Sequence, residues 1–517
     1  MSGERIIIVG AGIAGLVAAV ELARRGLEVT LLERAAAPGG KMRELHVGPP
    51  ADCRAVDSGP TVLTMRWIFD EIFDDAGAGL DDCVRLKQAE ILARHAWNAT
   101  ERLDLHAETA RSAEAIGDFA GAAEARRFLE FCTRAGEIYT TLERSFMQAQ
   151  RPSPTGLVRN VGWRGLGGLW RIKPFQTLWS ALGEHFHDQR LRQLFARYAT
   201  YCGSSPFVAP ATLMLVAHVE QKGVWLVEGG MQRLAEALAA LAVRQGAEIR
   251  YGAEVAEVRA PAGRVEGVRL AGGEDLAADA VLLNADVAAA AAGLLGQGVA
   301  DAVPAPSPSA RSLSAVTWSL VARADGFPLL RHNVFFSSDY PAEFADIFEQ
   351  HRLPRSPTVY VCAQDRGDPG EAPPQGPERL FCLVNAPAYG DGPSFDALET
   401  NSCAENTFAR LEGCGLHIER HEAAATMTTP HDFNQLFPGS GGALYGQASH
   451  GWQASFSRPG ARTRLPGLYL AGGSVHPGPG IPMAAISGRL AAASLLQDLV
   501  SRSPSHPVAM PGGMSMH

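Results

Sequence analysis

No Cys-x-x-Cys pair occurs among the 517 residues, and none of the eight cysteines has histidine partners at zinc-binding spacing. A structural zinc site is therefore not expected, and free thiols in a reducing cytosol are. Positive charge is also scarce: 46 Lys and Arg face 55 Asp and Glu, for a formal net charge of -9. A chain built to grip nucleic acid needs concentrated Lys and Arg, so that class of partner is set aside. Nor is there a run of about twenty uncharged apolar residues. The Ala-rich stretch 277–303 is interrupted by Asp279, Asn284, Asp286 and Asp301, and no segment is expected to span a membrane. Finally, no Ser/His/Asp arrangement and no metal-ligand cluster is legible, which leaves the chemistry to a bound cofactor.

What the chain does have is a 46% hydrophobic composition, enough at this length for a large core divided into two or three domains. The apolar run from Ile6 to Val20 is punctuated by Gly10, Gly12 and Gly15 and closed by Glu21 and Arg24 without a cleavage site, so it reads as a βα unit rather than a signal peptide. The full stretch "RIIIVGAGIAGLVAAVELARRGLEVTLLER" predicts a strand over Arg5–Val9, a helix over Ala14–Arg25 and a strand over Glu28–Leu32, followed by Glu33. In this GxGxxG unit Gly10 makes the turn, Gly12 admits a pyrophosphate, Gly15 lets helix meet strand, and Glu33 is placed to bond a ribose hydroxyl. Dinucleotide binding is the expectation.

A second crossing of this kind lies near the C-terminus, in "LAGGSVHPGPGIPMAAISGRLAAASLL", residues 470–496. Gly472, Gly473 and Gly480 allow close backbone approach to a planar or anionic ligand, and a helix starting near Pro482 points unpaired N–H groups at it. Between the two crossings the texture changes. Residues 104–222 read as an inserted helical domain, with helices near 118–147, 175–201 and 210–222. Alternating β and α resumes over 223–303, where "DAVLLNADV" (279–287) is a strand ending beside the cofactor. Residues 304–429 carry short strands near Thr317–Val321, Thr358–Cys362 and Leu380–Val384, expected to form an antiparallel sheet roofing the site. The dinucleotide domain would thus be built from 1–103, 223–303 and 430–500, with 501–517 a disordered tail.

Taken together, "GGKMRE" (39–44), "DSGPTVLT" (57–64), "GVWLVEGGMQRLAEAL" (223–238), "LLNADV" (282–287) and the C-terminal crossing resemble the bacterial carotenoid desaturases over nearly the whole chain. These are flavoproteins of the amine oxidase superfamily. The resemblance implies an α/β fold: a Rossmann-like FAD-binding domain, an antiparallel-sheet substrate domain and an inserted helical domain. It implies FAD as cofactor, with Gly39, Gly40, Lys41 and Arg43 along its phosphates and ribose. Gly59, Pro60 and Thr61 would approach the flavin ring together with Asp57, with Asp57 and Thr61 mainly structural, and Gly480, Ile481 and Pro482 would face it. His476 in the same turn could take or relay a proton, or could simply hydrogen-bond the turn.

"ILARHAW" (91–97), "FARYATYCGSSPFVAPATLMLVAHVEQKGVW" (195–225) and "GGALYGQASHG" (441–451) look most like the 1-hydroxycarotenoid 3,4-desaturases. That resemblance implies an acyclic hydroxylated carotenoid as substrate, with oxygen or a quinone as electron acceptor. Phytoene or neurosporene desaturases, amine oxidases and porphyrinogen oxidases share the cofactor motifs. A flavin-free polyisoprenoid carrier, like the escort proteins of prenylated GTPases, shares the fold, but the intact glycines at both crossings argue against it.

Residues 151–183 contain no acid, while Arg151, Arg159, Arg164, Arg171 and Lys173 alternate with Trp163, Trp170, Phe175 and Trp179. Such a mixture suits a bilayer surface, so a cytoplasmic protein attached peripherally to the inner or photosynthetic membrane is expected.

Overall fold

Ile6, Ile7 and Ile8 are all buried, as befits a strand covered on both faces of a parallel sheet. In the computed structural model, which describes residues 3–150, 175–368, 370–393 and 395–502, strand Arg5–Val9 is the middle of five parallel strands. Their order is Leu468–Leu470, Ala280–Leu283, Arg5–Val9, Glu28–Glu33 and Glu248–Tyr251. Ile7 pairs with Val281 on one side and Thr30 on the other, so segments from the beginning, middle and end of the chain meet within one layer. Helix Ile13–Ala23 is buried along its whole length. It packs between helices Gln232–Arg244 and Ile481–Arg502. The crossing with the last helix is close: a Cβ on Gly488 would lie 2.3 Å from the Ala14 carbonyl oxygen, so only glycine fits there.

The second layer is a seven-stranded sheet in the order Ala425–Thr428, Ser314–Ala322, Glu378–Ala386, Val359–Ala363, His332–Phe335, Ile91–Ala96 and Arg102–His106. The three strands expected within 304–429 are in it, two of them longer than the sequence predicts and Val359–Ala363 shifted by one residue. Its pairs are antiparallel except for His332–Phe335 against Ile91–Ala96, where Asn333 pairs with Arg94. The hairpin 91–106 therefore extends the roof, and a boundary after residue 103 cuts through it. Strand Ile91–Ala96 is buried at nearly every position while Arg102–His106 alternates, and long-range pairing decides which layer the hairpin joins.

In the helical insert, the helix expected near 118–147 is two, Thr109–Ala120 and Ala122–Leu142, broken at Gly121 with φ +96°. The stretch expected as one helix over 175–201 is split by its caps: Thr177 caps Leu178–His185, Asp188 caps Gln189–Ala196, and a tight 3-10 turn covers Arg197–Cys202. Helix Leu215–Gln221 follows a 3-10 turn at Ala211–Met214. Phe128, Phe131, Phe186 and Phe195 form the core of this unit, with ring centroids as close as 4.7 Å. The last helix continues through Ser501 and Arg502. Residues 503–517 of the expected tail, and 151–174 of the expected docking stretch, lie outside the described residues.

Candidate active site

The first glycine turn is built around a side chain 274 residues away in sequence. Asn284 stands at the end of strand Ala280–Leu283, and its Nδ2 donates to the Gly10 carbonyl at 3.2 Å. A Cβ on Gly12 would sit 2.6 Å from that nitrogen; one on Gly15 would sit 2.1 Å from the Gly10 carbonyl oxygen and 3.0 Å from the same nitrogen. Gly472, at φ +125°, approaches Asn284 Oδ1 in the same way. One amide therefore packs under both crossings, and this is where the expected glycines converge. The second pair joins them directly: Gly39 N–H donates to the Ala11 carbonyl at 2.8 Å, and Gly12 pairs with Gly39.

These turns open onto a cavity of about 1780 Å³. Ligand pockets for a single small molecule run to roughly 1,000 Å³, so this one has room for a dinucleotide and a second elongated ligand. Gly10, Gly12, Gly39, Gly40, Gly472 and Gly473 line it; Gly15 does not, because it acts one layer behind as the helix–strand contact. Glu33 lines it too, its carboxylate fixed by the N–H groups of Ala11 at 2.7 Å and Ala35 at 2.8 Å. Helix Ile13–Ala23 has Gly12 as its N-cap and no side-chain cap, and its first residues, Ile13 and Ala14, face the cavity. Free first-turn amides beside a fixed carboxylate fit the pyrophosphate and ribose of a dinucleotide. The C-terminal helix likewise begins in the cavity wall with Ile481 and Pro482, just after Gly480 at φ +109°.

Lys41 and Arg43 line the same cavity. Lys41 Nζ donates to the Leu444 carbonyl at 2.8 Å and lies 3.8 Å from Asp286; burial holds its pKa below the usual lysine value against the pull of that carboxylate. Arg43 donates to Thr428 Oγ1 and lies over the Phe433 ring. Gly59 sits so close to the 41–43 segment that a Cβ would meet the Lys41 carbonyl oxygen at 2.1 Å. Pro60 and Thr61 continue the wall, and Thr61 Oγ1 is 2.6 Å from the Tyr360 hydroxyl, itself 2.7 Å from His332 Nδ1. Asp57 keeps the structural part expected of it but not the approach to the ring. Its carboxylate accepts from the Met231 N–H at 3.0 Å beside Gly230, and it borders a separate pocket of about 210 Å³. It ties two loops together and does not face the main cavity.

His476 also departs. It is buried and absent from the cavity wall, with its ring edge-on to Phe146 at 5.1 Å, and Phe146 is the residue that lines the cavity. Burial pushes the imidazole down to about 4, so it is neutral near pH 7. Other residues at the site were not singled out from sequence. Arg458 is buried and holds the Gly473 and Tyr445 carbonyls, each at 3.1 Å. A charged cluster interrupts the apolar wall formed by Leu213, Val216 and Val219: Arg197, Tyr201 and Glu220 all face the cavity. Asn284 carried a legible signal, a polar residue at the carboxyl end of a buried strand; the others have none in local pattern.

A two-turn dinucleotide cradle under a mixed sheet, opening into a largely apolar chamber, defines a flavin-dependent oxidoreductase. The chain belongs to the family of flavin containing amine oxidoreductases, which matches residues 13–496. Its cofactor is FAD. The chain is 55% identical over 513 residues to the hydroxyneurosporene desaturase of Rubrivivax gelatinosus, covering 99% of this chain and 97% of that one. It is 46% identical over 500 residues to the hydroxyneurosporene desaturase of Cereibacter sphaeroides, covering 96% and 99%. Among solved structures, an oxidoreductase from Methanosarcina mazei shares the fold, with a TM-score of 0.57 at 17% identity over 95% of this chain and 100% of that one.

Proposed function

We propose that this protein is an FAD-dependent desaturase that introduces the 3,4 double bond into a linear carotenoid bearing a tertiary hydroxyl at C1. The observation that carries the reading is the near-complete alignment with two hydroxyneurosporene desaturases. The size of the cavity and its apolar wall of Leu142, Phe146, Leu213, Val216 and Val219 support it.

FAD, when bound, supplies a two-electron acceptor for the hydride that leaves one substrate carbon as the neighbouring carbon loses a proton. The protein's part is to bind, orient and exclude water. The first-turn amides after Gly12 and the Glu33 carboxylate would hold the pyrophosphate and ribose. Lys41 and Arg43 would lie along the same half, and the helix starting at Ile481 would present its positive end to the ring. The apolar wall would hold the polyene against the ring, so that rate comes from positioning rather than from a protein nucleophile. His476, behind Phe146, is given no proton-transfer role.

The substrate is taken up at a membrane surface on this reading. Moving a carotenoid of roughly forty carbons through water costs ~20–30 kcal/mol, too much for ordinary turnover. Among the described residues no helix is long and apolar enough to cross a bilayer. Phe175, 73% exposed, and Trp452, 37% exposed, pack edge to face at 5.4 Å and both line the cavity, which makes them candidates for its mouth. Trp179 is half-buried, packed on Phe207 beneath Arg192. The test is to incubate the protein with anionic liposomes carrying 1-hydroxyneurosporene or phytoene, then measure flotation and analyse products by chromatography. Co-flotation with faster conversion of the hydroxylated carotenoid is expected. Equal or better conversion of phytoene overturns the substrate assignment, and activity without flotation overturns the membrane assignment.

A further inference from the structure

A hydroxyl on C1 lies close to the reacting bond: two carbon–carbon bonds and one carbon–oxygen bond keep its oxygen within about 4 Å of C3. A group that recognises it must face the cavity near the flavin ring. An apolar substrate by itself would favour an uninterrupted apolar wall there, because buried charge is costly unless it is paired and used.

Beside Leu213, Val216 and Val219 the wall instead carries two buried groups of opposite charge, Arg197 and Glu220, bridged by the Tyr201 hydroxyl. Glu220 Oε1 accepts from the Tyr201 hydroxyl at 2.6 Å, and Oε2 accepts from the Tyr198 hydroxyl at 2.5 Å. Arg197 Nη1 donates to the Tyr201 oxygen at 2.7 Å. Arg197 is only 7% exposed, yet its Nε and Nη2 have no hydrogen-bond partner among the described residues. Burial alone would lower the pKa of Arg197, but Tyr201 and Glu220 outweigh it and raise it, so the charge is retained. Thr61 and Tyr360, hydrogen-bonded to each other at 2.6 Å, line the same cavity as the cluster. Each Glu220 oxygen accepts one tyrosine hydroxyl, and a carboxylate oxygen can accept a second donor.

We propose that Glu220 and Tyr201, held in place by Arg197, bind the tertiary hydroxyl of the substrate and set the enzyme's selectivity for a hydroxylated end group. This rests on the substrate reading above. The substrate O–H donates to the Glu220 carboxylate, and a charge-assisted bond of this kind is roughly twice as strong as a neutral one. A hydrocarbon end group would cover the same carboxylate and return nothing, which is how a hydroxyl-binding site rejects the analogue that lacks it.

The test uses the full-length flavoprotein as wild type, Tyr201→Phe and Glu220→Gln, with 1-hydroxyneurosporene and neurosporene presented separately in liposomes. The readout is the ratio of kcat/KM for the two carotenoids, alongside flavin content and Tm. Wild type is expected to prefer the hydroxylated carotenoid, and each variant to lose about ten- to hundredfold of that preference. Tyr201→Phe keeps the ring and its packing, so it reports on the hydroxyl site even if Glu220→Gln loosens the cluster. A ratio unchanged in flavin-replete variants overturns the proposal and leaves the substrate reading standing. A wild type that converts neurosporene as well as the hydroxylated carotenoid overturns both.

Discussion

Adding one methyl group at Gly12 should cripple flavin retention, and the structure says why. Gly12 has φ -70° and ψ 170°, a backbone conformation that alanine adopts freely, so the Gly12→Ala substitution carries no conformational penalty. Its Cβ, however, would lie 2.6 Å from Asn284 Nδ2, closer than real Cβ contacts come. Asn284 has little room to retreat, because its amide bonds the Gly10 carbonyl and is packed beneath Gly15 and Gly472. The turn itself has to move, and binding the pyrophosphate has to restore it. Overpacking of this kind costs about 1–3 kcal/mol, which corresponds to roughly ten- to hundredfold weaker FAD binding. The assay is the flavin-to-protein absorbance ratio after gel filtration, with Kd from FAD titration of stripped protein. Asn284→Ala supplies the decisive control. It opens space for the methyl group, so Gly12→Ala should cost less in that background, with a coupling of about 1 kcal/mol or more. Full flavin occupancy in Gly12→Ala, or the same penalty in both backgrounds, refutes the reasoning.

Glu343 is fully buried; its Oε2 accepts from Thr358 Oγ1 at 2.6 Å, and burial pushes its pKa from an ordinary 4.5 up to about 7. A carboxyl whose folded pKa is raised stabilises the fold below its unfolded pKa and loses that contribution as pH rises through the folded value, here about 3 kcal/mol between pH 4.5 and 7. Glu343→Gln should therefore raise Tm more at about pH 8 than at about pH 5, and an equal effect at both would remove the titration as the cause. His476→Gln should leave both limbs of the desaturation pH profile in place between about pH 5 and 8, with a rate within a few-fold of wild type. Disappearance of a limb would return the imidazole to the chemistry.

The chain by itself determined those features whose physics is local. A strand, a turn requiring glycine, a helix and an acid within thirty residues carry their own instructions, because backbone conformation and hydrophobic period act over neighbouring positions. Gly10, Gly12, Glu33, Gly472, Gly473 and Gly480 were legible for that reason, Gly39 and Gly40 through the family resemblance, and all of them line one cavity. Gly15 was legible as a packing glycine and acts as one. What the tertiary structure alone decided is everything that depends on which distant segments become neighbours. Asn284 matters only because parallel pairing sets Leu283 beside Val9 and Leu470, which brings its amide under two turns far apart in sequence. The hairpin 91–106 joined the roof rather than the first domain through pairing with a strand more than two hundred residues later. His476 lay in a turn whose neighbours face the cavity, yet its own side chain points behind Phe146. Arg197 and Glu220 look like ordinary polar positions on two separate helical segments. They become a charged cluster in an apolar wall only when those segments pack, because Coulombic and hydrogen-bonding partners are set by distance in space and not by spacing along the chain.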